Sequence, residues 1–267
     1  MAKIILIETS AADCTVALGV DGTAVAMAKA DEPRSHASMT APLVGQVLEE
    51  AGLKVADCDA VCLSKGPGSY TGLRVGSSTA KGLCFGASLP LLAIPTSDLI
   101  ASQALTEIHS PASRLGMTKG TLGMTTPSLP FRHIVTMIDA RRLEVYAAIY
   151  AVEHLNNEIH SASGLGMTPA VLRQIVTVAP VVVEPGSFSE LEGEGPVLFA
   201  GDGALKCREV LSAAFPDAAF VEVLPHADAM APLAERAFSE GRFEDPAYFE
   251  PFYLKQFVAT LPRKTLF

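Results

Sequence analysis

Gly66-Pro67-Gly68-Ser69-Tyr70-Thr71-Gly72-Leu73-Arg74-Val75-Gly76 is the stretch that decides how this chain is read. It follows the apolar run Asp59-Ala60-Val61-Cys62-Leu63-Ser64 and opens a small-residue segment reaching about Gly86. That order predicts a buried strand, a tight glycine turn and a helix capped by Ser69. Glycine there permits positive φ and close backbone approach. The free N–H groups of the first helical turn suit an anion, and the same turn suits packing against a neighbouring chain. The spacing is not the dinucleotide fingerprint, because the third glycine comes one residue late, and no Lys-Ser or Lys-Thr completes a P-loop. Along the helix Gly72, Gly76 and Ala80 fall four apart, and Gly82 and Gly86 repeat the interval. Spacing alone fits packing inside the chain and packing against a partner equally well. Arg74 reads as facing a phosphate or as a solvated arginine.

Before the turn, Lys3 to Thr9 reads as a strand. Val16, Leu18 and Val20 alternate up to Asp21-Gly22, a hairpin signal, and Thr23 to Lys29 returns. Ala37, Thr40, Ala41, Val44, Val47, Leu48 and Ala51 recur at helical spacing until Gly52. After the turn, Leu89 to Ile94 is predicted as a strand and Thr96 to about Glu107 as a helix. The order βββαβαβα is mixed α/β, with a hairpin feeding a sheet that later strands extend in parallel.

From Ile108 to Pro130 the pattern lapses. Leu-Gly-Met-Thr occurs at Leu115, Leu122 and Leu165, and Glu107 to Thr118 nearly recurs as Glu158 to Thr168, although the sequence flanking those words does not repeat; the words read as inserted, mobile loop sequence. Order resumes with strand His133 to Ile138, the turn Asp139-Ala140-Arg141-Arg142, and a return strand alternating at Leu143, Val145, Ala147 and Ile149. A short helix is expected at Pro169 to Val176, a strand at Val197 to Ala200 and a turn at Gly201-Asp202-Gly203. Helices follow at Ala204 to Phe215 and Ala227 to Glu240, then an aromatic and basic tail from Pro246. The cuts are 1–107, an insertion at 108–130, and 131–267, with the last helix or tail able to pack back on the first part.

The chain of 267 residues is long enough for two modest domains. Hydrophobic content is 49%, yet no apolar run is long enough to span a membrane, and an acid at Glu8 comes too early for a signal peptide. Five scattered cysteines make no disulfide framework, and a cytoplasmic protein is expected. A net charge of −9 argues against gripping nucleic acid unaided. Glu8-Thr9-Ser10 with Asp13 could bind a phosphate or Mg²⁺, or form a polar turn that caps its own backbone. The histidines lack ligand spacing, and no Gly-x-Ser-x-Gly elbow occurs. Asp139 to Arg142 reads as a charged hairpin tip or a binding turn.

Ile5 to Ser10, Arg34-Ser35-His36, Gly66 to Gly76, Met137 to Tyr146 and Glu250 to Lys255 closely resemble the TsaB (YeaZ) family, in the right order over nearly the whole chain. The resemblance implies two related actin-like ATPase (ribonuclease H-like) lobes, each a mixed sheet with flanking helices. It implies a non-catalytic subunit that pairs with TsaD, which transfers a threonylcarbamoyl group to an adenosine beside the tRNA anticodon. TsaE joins a larger complex, the subunit alone is a homodimer, and tRNA contact is indirect. Pairing in the family uses the first two helices, here about Ser35 to Ala51 and Tyr70 to Gly86. The expected interface residues are Leu43, Val47, Tyr70, Gly72, Leu73, Gly76, Ala80 and Leu83, with a vestigial nucleotide site at Glu8, Thr9, Ser10, Gly66 and Gly68. TsaD-like proteins hold a metal partly through two histidines where this chain has Ile94-Pro95-Thr96-Ser97-Asp98-Leu99-Ile100, so no metal, cofactor or catalytic residue is expected. The competing class is an enzyme in its own right, an actin-like ATPase or a metallopeptidase-like protein.

Overall fold

The computed structural model describes residues 2–32, 35–109, 131–154 and 170–254. The Leu-Gly-Met-Thr words, almost all of the expected insertion and the basic end of the tail lie outside them. The first part of the chain forms β1 (Lys3–Glu8), β2 (Thr15–Val20), β3 (Thr23–Lys29), α1 (His36–Glu50), β4 (Ala60–Gly66), α2 (Tyr70–Ala87), β5 (Leu91–Pro95) and α3 (Thr96–His109). The remainder forms β6 (His133–Asp139), β7 (Glu144–His154), β8 (Ala170–Val182), β9 (Val197–Ala200), α4 (Ala204–Leu211), β10 (Ala219–Val221) and α5 (Ala231–Ser239).

The two five-stranded sheets have the same plan. The first runs β3-β2-β1-β4-β5 and the second β10-β9-β6-β7-β8, so β6 to β10 repeat β1 to β5 in role. In each, two antiparallel pairings make the opening meander and two parallel pairings extend it. Asp21 and Gly22 both adopt positive φ, 49° and 72°, as a two-residue hairpin that follows strand twist demands. α2 is capped by the Ser69 hydroxyl accepting from Gly72 N, and closes on Ser88 in the left-handed conformation.

Strand alternation sends side chains to opposite faces of each sheet. Ile5, Ile7, Val61 and Leu63 pack under α1 and α2, whereas Ile4, Leu6, Cys62 and Leu92 meet α5. Helix α5 thus lies on the first sheet, although it comes last in sequence. Helix α3 serves both sheets. Leu99 belongs to the core of the first, while Ile100, Ala101 and Ala104 belong to a core with Ile134, Ala148 and Leu198 of the second.

A helix is expected from Pro169 to Val176; Pro169 lies outside the described residues, and residues 170–176 are instead the start of β8, a 13-residue strand paired with β7. Ile175, Val176, Thr177 and Val178 are β-branched and favour a pleated surface, and pairing with β7 satisfies their backbone. Pro180 is tolerated because β8 is an edge strand. Two helices are shorter than their periodicity suggests. α4 stops at Leu211, and Asp228–Met230 form a 3-10 turn before α5. Replacing Leu99, fully buried, by alanine should cost about 2–5 kcal/mol, read as a lower urea midpoint at unchanged slope.

Candidate functional site

The end of β1 and the turn after β4 come together, bringing Glu8, Thr9, Ser10, Gly66 and Gly68 into one cluster. Glu8 is wholly buried at the strand terminus. Its carboxylate accepts from Ser10 N and Ser10 Oγ, both at 2.5 Å, and from Ser64 Oγ on β4. No salt bridge reaches Glu8 among the described residues. Burial raises its pKa above the ordinary carboxyl value, and the Ser10 and Ser64 donors offset only part of that.

The glycine turn is consumed by packing. Ser69 N donates to Ser10 O at 2.7 Å, and Leu73 N donates to Ser69 O at 2.8 Å. A Cβ at Gly68 would overlap Ser10 O, one at Gly72 would overlap Thr9 O, and one at Gly76 would overlap Thr9 Oγ1. Gly66 has φ 102°, which side chains rarely adopt, and the Phe252 carbonyl would lie 2.8 Å from a Cβ there. Phe252 N donates to Lys65 O at 2.6 Å, so the Pro251–Tyr253 segment straps the turn from outside. From the other side, the His36 Nε2–H lies 3.2 Å from the carbonyls of Ala11 and Asp13 and anchors the loop after Ser10 to α1. Asp13 is held by Lys29 at 2.7 Å. Arg74 lies over the Tyr70 ring, 5.5 Å from its centroid, and Tyr70 meets Tyr253 at 4.9 Å.

At the start of α3, Asp98 accepts from the Tyr150 hydroxyl at 2.6 Å, a bond between the two lobes. Burial raises the pKa of Asp98, against the lowering effect of that bond. The Thr96 side chain is buried without a hydrogen-bond partner. Hydroxyls and one engaged carboxyl do not make the two-histidine donor set of a metal centre. Among the described residues no group of three or more His, Cys, Asp or Glu could hold a metal.

Comparison with known proteins agrees with this architecture. Residues 30–260 match the family model described as TsaD, tRNA N6-adenosine threonylcarbamoyltransferase. The Escherichia coli tRNA threonylcarbamoyladenosine biosynthesis protein TsaB is 31% identical over 96% of each chain. The chain belongs to the TsaB (YeaZ) family. The Haemophilus influenzae TsaB is 34% identical over 54% of this chain and 51% of that one. The solved structure of YeaZ from Pseudomonas aeruginosa superposes with a TM-score of 0.68 at 25% identity, covering 95% of this chain and all of that one. The TsaB-family fold is therefore the two-lobed actin-like architecture.

Within this TsaB-family chain, the residues expected at a partner interface divide by direction. Leu43, Val47, Gly72, Leu73, Gly76 and Ala80 are all buried within the first lobe. The glycine stripe faces β1, where a helix must come within backbone distance of Thr9. Leu83 is half-buried against the α1–α2 core, and Tyr70 is 37% exposed. The outward faces of the same helices carry other residues: Ala37, Ala41 and Gly45 on α1, and Ser78, Gly82 and Phe85 on α2. Phe85 is 91% exposed. Helical phase contains this signal, since Phe85 lies one residue out of step with the buried Cys84.

Gly72→Ala should destabilise the lobe by about 1–3 kcal/mol or more in chemical denaturation, because backbone lies where its methyl would go. Glu8→Gln tests the buried carboxyl. A raised folded-state pKa means that the native state holds its proton more tightly than the unfolded chain. Stability therefore falls as pH rises from about 4.5 toward the folded pKa, by about 1.4 kcal/mol per unit of that window. The Glu8→Gln variant should lack this fall, so the stability difference between the two proteins should move with pH in denaturation series.

Proposed function

We propose that this chain is a non-catalytic subunit of the tRNA threonylcarbamoyladenosine pathway, which binds a TsaD-type transferase through α1 and α2. Support comes from the names and extent of the relatives above. The observation that carries the reading is the pair of bare helix faces on the first lobe. A Cβ at Gly45, Gly82 or Gly86 would meet nothing within 4 Å, so a second backbone has room to approach. Phe85 stands beside them as an apolar anchor, the kind of side chain that dominates binding energy when a partner buries it. The partner contact lies one face round from the glycine stripe, on the outward sides of the same two helices. In the absence of TsaD the same face pairs two copies of the chain, and TsaE joins in a larger assembly. Among the described residues no helix is long and apolar enough to cross a membrane, which fits work in the cytoplasm.

What supports a non-catalytic role is how the site spends its donors. An ATPase of this fold needs the first-strand loop and the glycine turn open to phosphate. Here Ser69 N bonds to Ser10 O, the Ser10 donors serve Glu8, and the Pro251–Tyr253 strap crosses above. The start of α3 offers hydroxyls and a carboxyl engaged by Tyr150, not metal ligands.

Phe85→Asp tests the interface. It should weaken co-elution with the organism's own TsaD-type protein by roughly thirtyfold, about 2 kcal/mol. It should leave the melting temperature unchanged, because Phe85 makes almost no contact within the chain. Binding at full strength by this variant would move the interface elsewhere. The isolated chain should show no ATP turnover in a phosphate-release assay, and sustained turnover would overturn the non-catalytic reading.

A further inference from the structure

The segment after α5 builds a groove on the outside of the first lobe. Glu244 N donates to Leu91 O at 2.8 Å, which lays this segment along the edge strand β5. Phe249 then plugs into the core under α1 and α2, and Phe252 N donates to Lys65 O at 2.6 Å. Tyr253 closes the run against Tyr70 of α2. Held at these points, the segment and Lys65 line an open groove of about 540 Å³, within the ~300–1,000 Å³ range of ligand sites.

The lining is aromatic and acidic. Tyr248 is 84% exposed and Phe252 43%, and both line the groove, where their rings would gain by being covered. Glu244, Asp245 and Glu250 stand around them, with Lys65 the one cation among the described lining residues. Lys65 reaches Glu244 at 3.8 Å, and Asp245 Oδ1 accepts from Ala247 N at 2.8 Å. No ion pair or hydrogen bond reaches the Glu250 side chain among the described residues. Aromatic rings beside carboxylates take a cation, a guanidinium above all, together with the apolar chain that carries it.

We propose that this groove is the docking site of the chain's own residues 255–267. That stretch carries Lys255, Arg263 and Lys264 and no acid, on a chain of net charge −9. Its Phe257, Leu261 and Leu266 supply the apolar cover that Tyr248 and Phe252 lack. Position selects this occupant over a separate partner. The chain leaves the described residues at Leu254, next to the groove wall at Tyr253, and Arg263 follows about ten residues later. Such a stretch reaches at most about 35 Å, enough to turn back onto the groove, and a tether of that length holds the cations at about millimolar effective concentration. A free cationic peptide would have to compete with that. Once docked, the segment adds a second layer over the Pro251–Tyr253 strap and so over the glycine turn. The docking is separate from the partner contact on α1 and α2 and does not depend on it.

The chain has no tryptophan, so Tyr248→Trp puts a single fluorescent reporter on the groove wall, at a position exposed enough to accept it. In the full chain carrying Y248W, the docked segment should shield the indole. R263E/K264E in that background should raise acrylamide quenching roughly twofold or more and shift the emission to the red, as should about 1 M salt without the charge changes. E250K should do the same from the groove side. E250K combined with R263E/K264E should regain part of the shielding, a coupling that two unrelated surface changes would not show. Equal quenching with and without R263E/K264E would overturn the proposal. So would shielding that fades on roughly hundredfold dilution, because the occupant would then be a second copy of the chain. Shielding that arises only when the TsaD-type protein is added would give the groove to that partner and overturn the proposal as well.

Discussion

Helix α2 approaches β1 so closely that no side chain fits between them at Gly72 and Gly76. The Thr9 carbonyl and hydroxyl occupy the space where their Cβ atoms would be. That one contact places Ser69 within reach of Ser10, closes the glycine turn, and turns Ala80 and Cys84 of α2 into the core. The outward side, with Phe85, follows from helical geometry alone. Change the approach and the cap, the clamp on Ser10 and the direction of Phe85 all change together.

The same contact explains the state of Glu8. An unpaired carboxyl in a sealed site would be untenable without donors, and the three it has come from Ser10 and Ser64, the residues that the clamp holds in place. A phosphate brought to this turn would have to displace those donors and face a carboxyl. The lobe plan that the two halves share thus carries two unlike ends. One is closed around an acid, and the other presents Arg141 and Arg142 on the β6–β7 tip.

Much of the architecture was legible in the residues. The Asp21-Gly22 hairpin, the period-3.6 pattern from Ala37 to Ala51 and the strand–turn–helix around Gly66 each have a local physical cause. The reading of Pro169 to Val176 as a helix failed because β8 depends on a partner strand, β7, whose pairing no local window contains. The direction of the glycine stripe was illegible for a similar reason. Spacing says that something comes close to Gly72 and Gly76, but only the fold says that it is Thr9. Burial of Glu8 was likewise hidden, since Glu8-Thr9-Ser10 looks the same in an open turn. The strap at Phe252 was visible as an aromatic cluster, without any sign of what it covers.

Helix α3 gives the molecule a mechanical property. It contributes Leu99 to one core and Ile100, Ala101 and Ala104 to the other, while Asp98 bonds to Tyr150 and Gln103 Nε2 donates to Leu224 O. A hinge between the lobes would have to peel this helix from one core, exposing apolar surface and breaking those bonds. The lobes therefore share a strut in place of a joint. A body braced in this way holds its two ends at a constant separation. The outward face of α1 and α2 is then kept at a fixed distance and angle from the β6–β7 tip of the second lobe.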